Sequence, residues 1–204
     1  MIKKMKPGTL FVISASSGAG KTTLVSALMG NIADCPVQRI ITYTTRPPRT
    51  TDREGHDYHF ITVPEFQKKV QEGFFIEWSQ VYGHYYGSPA SIINKLEQQI
   101  SLVIILDIKG AQALKAQLTH AILIWIDVDQ KQLSQRLIAR ATDTPDQIAI
   151  RIDTAAQELM LKNSLNIYNY HMVNENFDQS LAILTNIVRT VLSAHALSDV
   201  IDQE

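Results

Sequence analysis

LFVISASSGAGKTT, Leu10 to Thr23, decides the fold. The apolar run Leu10-Phe11-Val12-Ile13 passes into small residues and ends on a lysine and two hydroxyls. A short continuous apolar run closed by a glycine-rich turn reads as a strand buried on both faces. The turn itself fits G-x-x-x-x-G-K-[ST], with Ala15 at the first glycine position and Gly20-Lys21-Thr22 completing it. Gly18 and Gly20 let the backbone curl so that successive N–H groups face inward, and the helix starting there adds its partial positive charge. Such a loop cradles the phosphates of a nucleoside triphosphate. Ala15, Ser16, Ser17, Gly18, Ala19, Gly20, Lys21, Thr22 and Thr23 are its candidate residues, with Lys21 reaching the β- and γ-phosphates and the Thr22 hydroxyl ligating Mg²⁺.

Outward from this loop, Ser101 to Asp107 and Ala121 to Asp127 are also nearly continuous in apolar residues, and His171 to Asn174 is a weaker run of the same kind. Amphipathic stretches lie between them. Asp129 is expected to cap a helix carrying Leu133 and Leu137, and Asp178 one carrying Leu181, Leu184, Val188 and Val191. Buried strands alternating with covering helices give an α/β fold of the P-loop NTPase type, a parallel sheet flanked by helices. From Val37 to Ser88 the composition shifts to paired prolines, hydroxyls and aromatics with short strand-like pieces, Asp57 to Thr62 and Phe74 to Trp78. This is read as a small inserted lobe. The polar stretch Ala139 to Gln147 is read as a flap. The expectation is one domain over 1–204, with core segments 1–36, 89–128 and 156–204, a lobe over 37–88 and a lid over 129–155.

Composition narrows the function classes. The chain has 204 residues, 45% hydrophobic and 19% charged, with a formal net charge of -1, which gives no general attraction to nucleic acid. Cys35 is the only cysteine, so no internal disulfide or cysteine-cluster metal site forms, in keeping with a reducing, cytoplasmic setting. No run reaches the ~18 consecutive apolar residues of a membrane span, so no membrane partner is expected. Oligomeric state is not legible. The scattered Cys35, His56, His84 and His171 have no ligand spacing. Trp125 reads as core, and Lys68-Lys69 as a solvated helix face.

A second anion site is implied by Arg46 and Arg49, set three residues apart beside Pro47-Pro48, since planar guanidinium groups grip phosphate in fork geometry. Gly55-His-Asp-Tyr58 and Gly83-His-Tyr-Tyr-Gly-Ser88 add phenols and a hydroxyl. Glu77, inside the apolar run Phe75-Ile-Glu-Trp78, needs a partner, which guanine supplies through its N1–H and exocyclic N2–H donors. A strand residue facing water or an internal salt bridge is the alternative.

Ser-Gly-Ala-Gly-Lys-Thr, Thr-Thr-Arg46-x-x-Arg49, Gly-x-Asp-Tyr58, Phe-Ile-Glu77-Trp and Tyr-Tyr86-Gly-Ser88 occur in the order and near-spacing of guanylate kinases. The chain strongly resembles the bacterial members of that family over about its first 190 residues. The resemblance implies a nucleoside monophosphate kinase of purine metabolism, with Mg²⁺-ATP as phosphoryl donor and GMP as acceptor. It implies that Arg46, Arg49, Tyr58 and Tyr86 hold the GMP phosphate in the lobe, and that Thr42, Glu77, Ser88 and Asp107 read guanine. Lys21, Arg46, Arg140 and Arg151 become the catalytic candidates, the last two from the lid, and Asn174 lies near the ATP base.

Three departures stand out. Where the family reads Leu-Asp-Ile-Asp-x-Gln-Gly, this chain has Leu106-Asp107-Ile-Lys-Gly110, leaving Asp107 for one of two aspartate roles. Alanines rather than glycines flank Arg140, and Thr51-Asp52 replaces a Gly-Glu pair. The rival readings are a P-loop kinase of a phosphorylated sugar, which needs no guanine-reading carboxylate, and a guanylate-kinase-like binding module, which typically loses phosphate-loop residues. A P-loop GTPase would carry Asn-Lys-x-Asp, which is absent from the sequence.

Overall fold

The computed structural model describes residues 6–15, 19–81, 83–128 and 145–201. Strand β1 (Leu10–Ala15) leads to α1 (Lys21–Asn31), β2 (Val37–Arg39), β3 (Tyr43–Thr44), β4 (His59–Phe60) and α2 (Val63–Gln71). The hairpin β5 (Phe75–Val81) and β6 (His84–Pro89) comes next, then α3 (Ser91–Glu97), β7 (Ser101–Leu106), α4 (Ile108–Gln117) and β8 (Ile122–Asp127). The chain continues through α5 (Pro145–Ser164), β9 (Tyr170–Val173) and α6 (Phe177–Ile201).

Every residue of β1 is buried, because it is paired in parallel on both edges and helices cover both faces of the sheet. Leu10 to Ser14 run in register with Leu102 to Leu106 of β7, and Phe11 to Ala15 with Ile122 to Ile126 of β8. The core sheet has the order β2-β7-β1-β8-β9 and is parallel throughout. Side chains alternate between its faces. Leu10, Val12, Leu102, Ile104 and Trp125 pack with residues of α3 and α4, while Phe11, Ile13, Val103 and Ile124 pack with Leu24 and Leu28 of α1 and Leu184 and Val188 of α6. Trp125 is fully buried, with its indole N–H donated to Asp127 Oδ1 at 2.5 Å.

The second sheet, β4-β3-β6-β5, mixes one parallel and two antiparallel pairings. Phe66 of α2 stacks between Phe75 and Tyr85 (centroids at 4.6 and 5.3 Å) and fastens helix to hairpin. A capping box, Thr62 with Glu65, starts α2. The β5–β6 pairing slips between Phe75 and Glu77, which re-aims the strand at the point where Glu77 leaves it.

Several expectations change. Val37–Arg39, counted with the lobe, is an edge strand of the core sheet paired to Ser101–Val103, so the two sheets part after Arg39. Asp178 lies inside the first turn of α6, and its expected cap role passes to Asn176, whose Oδ1 accepts the Gln179 N–H at 3.0 Å. Lys68 is solvated, but the Lys69 ammonium sits 3.9 Å from the centre of the Phe74 ring and covers apolar surface. The expected helix with Asp129, Leu133 and Leu137 lies outside the described residues. Among these, α6 alone is long and apolar enough by length and composition to cross a membrane (Phe177–Leu197, mean hydropathy 1.3), and it buries Leu184 and Val188 against the sheet.

Gly8 leads into β1, where its N–H is donated to the Leu96 carbonyl at 2.7 Å. A Cβ there would lie 2.5 Å from the Ile100 carbonyl carbon and closer still to its oxygen. Backbone on both sides cannot yield. Gly8→Ala is therefore expected to destabilise the fold by about 2 kcal/mol and to lower the melting temperature by roughly 4–8 °C, measured by thermal denaturation.

Candidate functional site

The central strand delivers the phosphate loop to the C-terminal edge of the sheet. Gly20 caps α1 with a left-handed backbone (φ 84°), and a Cβ there would also meet Asn174 Nδ2 at 3.2 Å, so glycine is required twice over. Asn174, buried just after β9, donates its side-chain amide to the Ala19 carbonyl (2.8 Å), and its backbone N–H goes to Asp127 O (2.8 Å). The amide thus ties the loop to the far side of the sheet. Lys21 Nζ donates to the Ala15 carbonyl at 2.5 Å, which folds the ammonium across the loop. Ser16, Ser17 and Gly18 lie outside the described residues.

At the opposite end, Thr44 Oγ1 donates to Tyr85 O (3.0 Å) and accepts the Arg46 N–H (3.1 Å), which fixes where the arginine turn begins. The Arg46 guanidinium is paired with Asp52 at 2.7 Å and lies over the Tyr58 ring, 5.5 Å from its centre. The same Asp52 oxygen accepts the Arg49 backbone N–H at 2.8 Å, so the carboxylate joins both arginines of the turn. Burial works against the charge on Arg46, but Asp52 outweighs it and holds the pKa above its ordinary value. Burial likewise works against ionised Asp52, and the Arg49 N–H and the Arg46 guanidinium more than offset it. Tyr58 and Tyr86 stand edge to face at 5.9 Å, and burial, with Tyr86 beside it, pushes the Tyr58 phenol up to about 12.

Between the two ends is a carboxylate withdrawn from water. Glu77 is 6% exposed, and Ser88 Oγ donates a short hydrogen bond to its Oε1. Desolvation raises its pKa to about 7, opposed by Ser88 and helped by the neighbouring Asp107 charge. Asp107 caps α4: its Oδ1 accepts the Gly110 N–H at 2.9 Å, and its Oδ2 accepts from Ser79 Oγ at 2.8 Å.

These groups share one cavity of about 480 Å³. It gathers Ala19, Gly20, Lys21, Thr22 and Thr23 from the phosphate loop, and Thr42, Arg46, Arg49, Tyr58 and Tyr86 from the lobe, with Glu77 and Asp107 on the same wall. Ala15, Ser88 and Asn174 are not lining residues but touch ones that are, through the bonds already given. Arg140 lies outside the described residues, and Arg151 falls on α5 with its side chain outside them. Ser79, His84, Ile150 and Glu158 also line the cavity and were not foreseen. Ser79 could have been, standing two residues beyond Glu77 on the same strand face. Glu158 comes from a distant helix and carries no local signal. No group of three or more metal-ligating side chains occurs among the described residues. Chemically, the cavity can take an anion at each end, with a hydrogen-bond acceptor beside the lobe end.

The family model for guanylate kinase matches residues 7–191. A guanylate kinase of Myxococcus xanthus is 38% identical over 186 residues, covering 90% of this chain and 87% of the relative. One of Shewanella sp. is 37% identical over 185 residues, covering 90% and 87%. The crystal structure of guanylate kinase from Anaplasma phagocytophilum superposes with a TM-score of 0.74 at 24% identity, covering 91% of this chain and 87% of that one, and shares its fold. The chain belongs to the guanylate kinase family.

Proposed function

We propose that the protein transfers the γ-phosphoryl group of ATP to GMP, giving ADP and GDP. The observation that carries this reading is the single cavity in which a phosphate loop with Lys21 faces an Arg46–Arg49–Tyr58–Tyr86 pocket and a buried Glu77. Kinases of this kind need two anions aligned in line and their charge neutralised; the acceptor phosphate is itself an anion, so no general base is required. Lys21 would leave the Ala15 carbonyl for the β- and γ-phosphate oxygens. Arg46 would exchange Asp52 for the GMP phosphate, already oriented and charged for it, while Arg49, Tyr58 and Tyr86 complete that grip. Thr42, Ser88 and ionised Glu77 would take the guanine edge. Asp107, occupied by the α4 cap and Ser79, supports that wall, and Asn174 keeps the loop in place at the ATP end.

The residues fit Mg²⁺: Thr22, which carries a hydroxyl, lines the cavity, and the ion ordinarily takes few protein ligands together with phosphate oxygens and water. Held there, the ion would supply charge neutralisation to the phosphates. We assign residues 129–155 to a lid that brings Arg140 and Arg151 to the transferring group, and the segment between the sheets to the GMP lobe. Closure of both over the substrates would exclude water. A cytoplasmic setting accords with these substrates. The intact Gly20-Lys21-Thr22 counts against a non-catalytic module, and Glu77 against a sugar-phosphate acceptor.

Lys21→Ala should lower kcat about 100-fold or more in an ADP-release assay, with an unchanged circular dichroism spectrum; near-normal turnover would refute the assignment. Glu77→Gln should raise KM for GMP about tenfold or more and leave KM for ATP in place, since a site built to bond a polar edge discriminates strongly against its loss.

The Glu77 pKa adds a proton-linked test. Its folded value, about 7, lies above the ordinary 4.5, so the empty protein loses stability as pH rises between those values. Guanine N–H donors favour the ionised form, so GMP should expel a proton near pH 6.5. Titration calorimetry in buffers of different ionisation enthalpy should record that release, and KM for GMP should climb as pH falls below 7. Proton uptake, or a flat KM from pH 6 to 8, would contradict the role given to Glu77.

A further inference from the structure

Gly110 stands in the first turn of α4, with a backbone that any residue adopts there, since it is not among the residues with positive φ. Glycine inside a helix is costly relative to alanine, so this one asks for a reason. The reason is spatial. A Cβ on Gly110 would lie 2.9 Å from Glu77 Oε2, while its next neighbours, Glu77 Cδ at 3.5 Å and Leu106 Cβ at 3.6 Å, are ordinary contacts. The bare backbone of α4 forms one wall of the slot in which the carboxylate sits, and the Ser88 hydroxyl on Oε1 forms the other.

The wall cannot back away. Gly110 N–H is held by Asp107 Oδ1, and Asp107 Oδ2 is held by Ser79, which lies on the same strand as Glu77. Glu77, Ser79, Asp107 and Gly110 therefore close a ring across the boundary between the two sheets. Inside that ring the softest element is the end of the Glu77 side chain. A methyl group at position 110 would leave the backbone where it is and push the carboxylate out of line.

We infer that Gly110 is a positioning residue for acceptor recognition, its missing side chain setting where the Glu77 carboxylate meets the base. The inference rests on the guanine-reading role of Glu77 and deepens it by naming what places that group. The fold has no need of glycine here, whereas base recognition does.

Steady-state kinetics and thermal melting of Gly110→Ala test this, with Gly30→Ala of α1, where a Cβ meets nothing within 4 Å, as the matched helical control. Displacement of a recognition group by an ångström or less can be very costly, so Gly110→Ala should raise KM for GMP about tenfold or more. KM for ATP should stay within about twofold, and the melting temperature should hold or rise as alanine favours the helix. Gly30→Ala should leave both KM values alone. An unchanged KM for GMP in Gly110→Ala overturns the inference, and so does a lowered melting temperature with both KM values rising together, which marks a packing requirement. Glu77→Gln separates the two layers. If that variant loses GMP affinity and Gly110→Ala does not, only the present inference fails; if Glu77→Gln is itself normal, the guanine reading fails and carries this one with it.

Discussion

Parallel pairing of β1 on both edges is the constraint that governs the molecule. A strand held by β7 on one side and β8 on the other, and buried along its whole length, can leave the sheet in only one place and direction. The phosphate loop therefore starts from a strand fixed along both edges. Asn174 extends that fixity from β9, since its amide holds the Ala19 carbonyl while its backbone N–H holds Asp127 at the end of β8. Three neighbouring strands converge on one turn of backbone.

The lobe is attached on different terms. Beyond the β5–β6 hairpin its strands are short, β3 and β4 having two residues each with pairings of the same length. Its cohesion comes from aromatic stacking around Phe66 and from polar ties such as Thr44 and Asp52. Contact with the core runs through β5, where Ser79 reaches Asp107 and the Ile76 carbonyl accepts from Gln117 at 2.5 Å. On the proposed reading, a core fixed by paired strands facing a lobe tied to it by a few hydrogen bonds suits a reaction that must bring two anions together and then part them. Asp52 belongs to the same logic. It occupies Arg46 with a carboxylate, so on the proposed reading an entering phosphate replaces one anion by another instead of meeting an undirected cation.

The sequence revealed most where chemistry is local. The run Leu10 to Ile13 and the apolar runs ending at Asp107 and Asp127 each carry their structure within a few residues and became core strands, and Gly20 caps the helix that follows the first. Contacts made by distant segments were hidden. Val37–Arg39 has no strand signature of its own and is a strand because β7 offers a free edge. The Asn174–Ala19 bond and the entry of Glu158 into the cavity depend on how far-apart segments meet. Asp107 was legible as a helix cap, an aspartate standing three residues before Gly110 at the end of a buried run. Asp52, read as a departure in the acceptor lobe, proves to be the carboxylate that links the two arginines.

Glu77 explains why such a wall is worth building. Holding its ionised form out of water costs the empty protein on the order of 3 kcal/mol above neutral pH, by the displacement of its pKa to about 7. A glutamine would fit the same slot at less cost to folding. It would also discriminate less, because an amide offers both a donor and an acceptor and can turn either toward a base, whereas an ionised carboxylate can only accept. On the proposed reading, adenine puts an acceptor where guanine puts N1–H, so the carboxylate would reject one base by the same property that welcomes the other. The value of that asymmetry depends on where the oxygens point. Ser88 holds Oε1 on one side and the bare backbone of Gly110 lies beside Oε2 on the other, so on that reading the desolvated carboxylate is also a directed one.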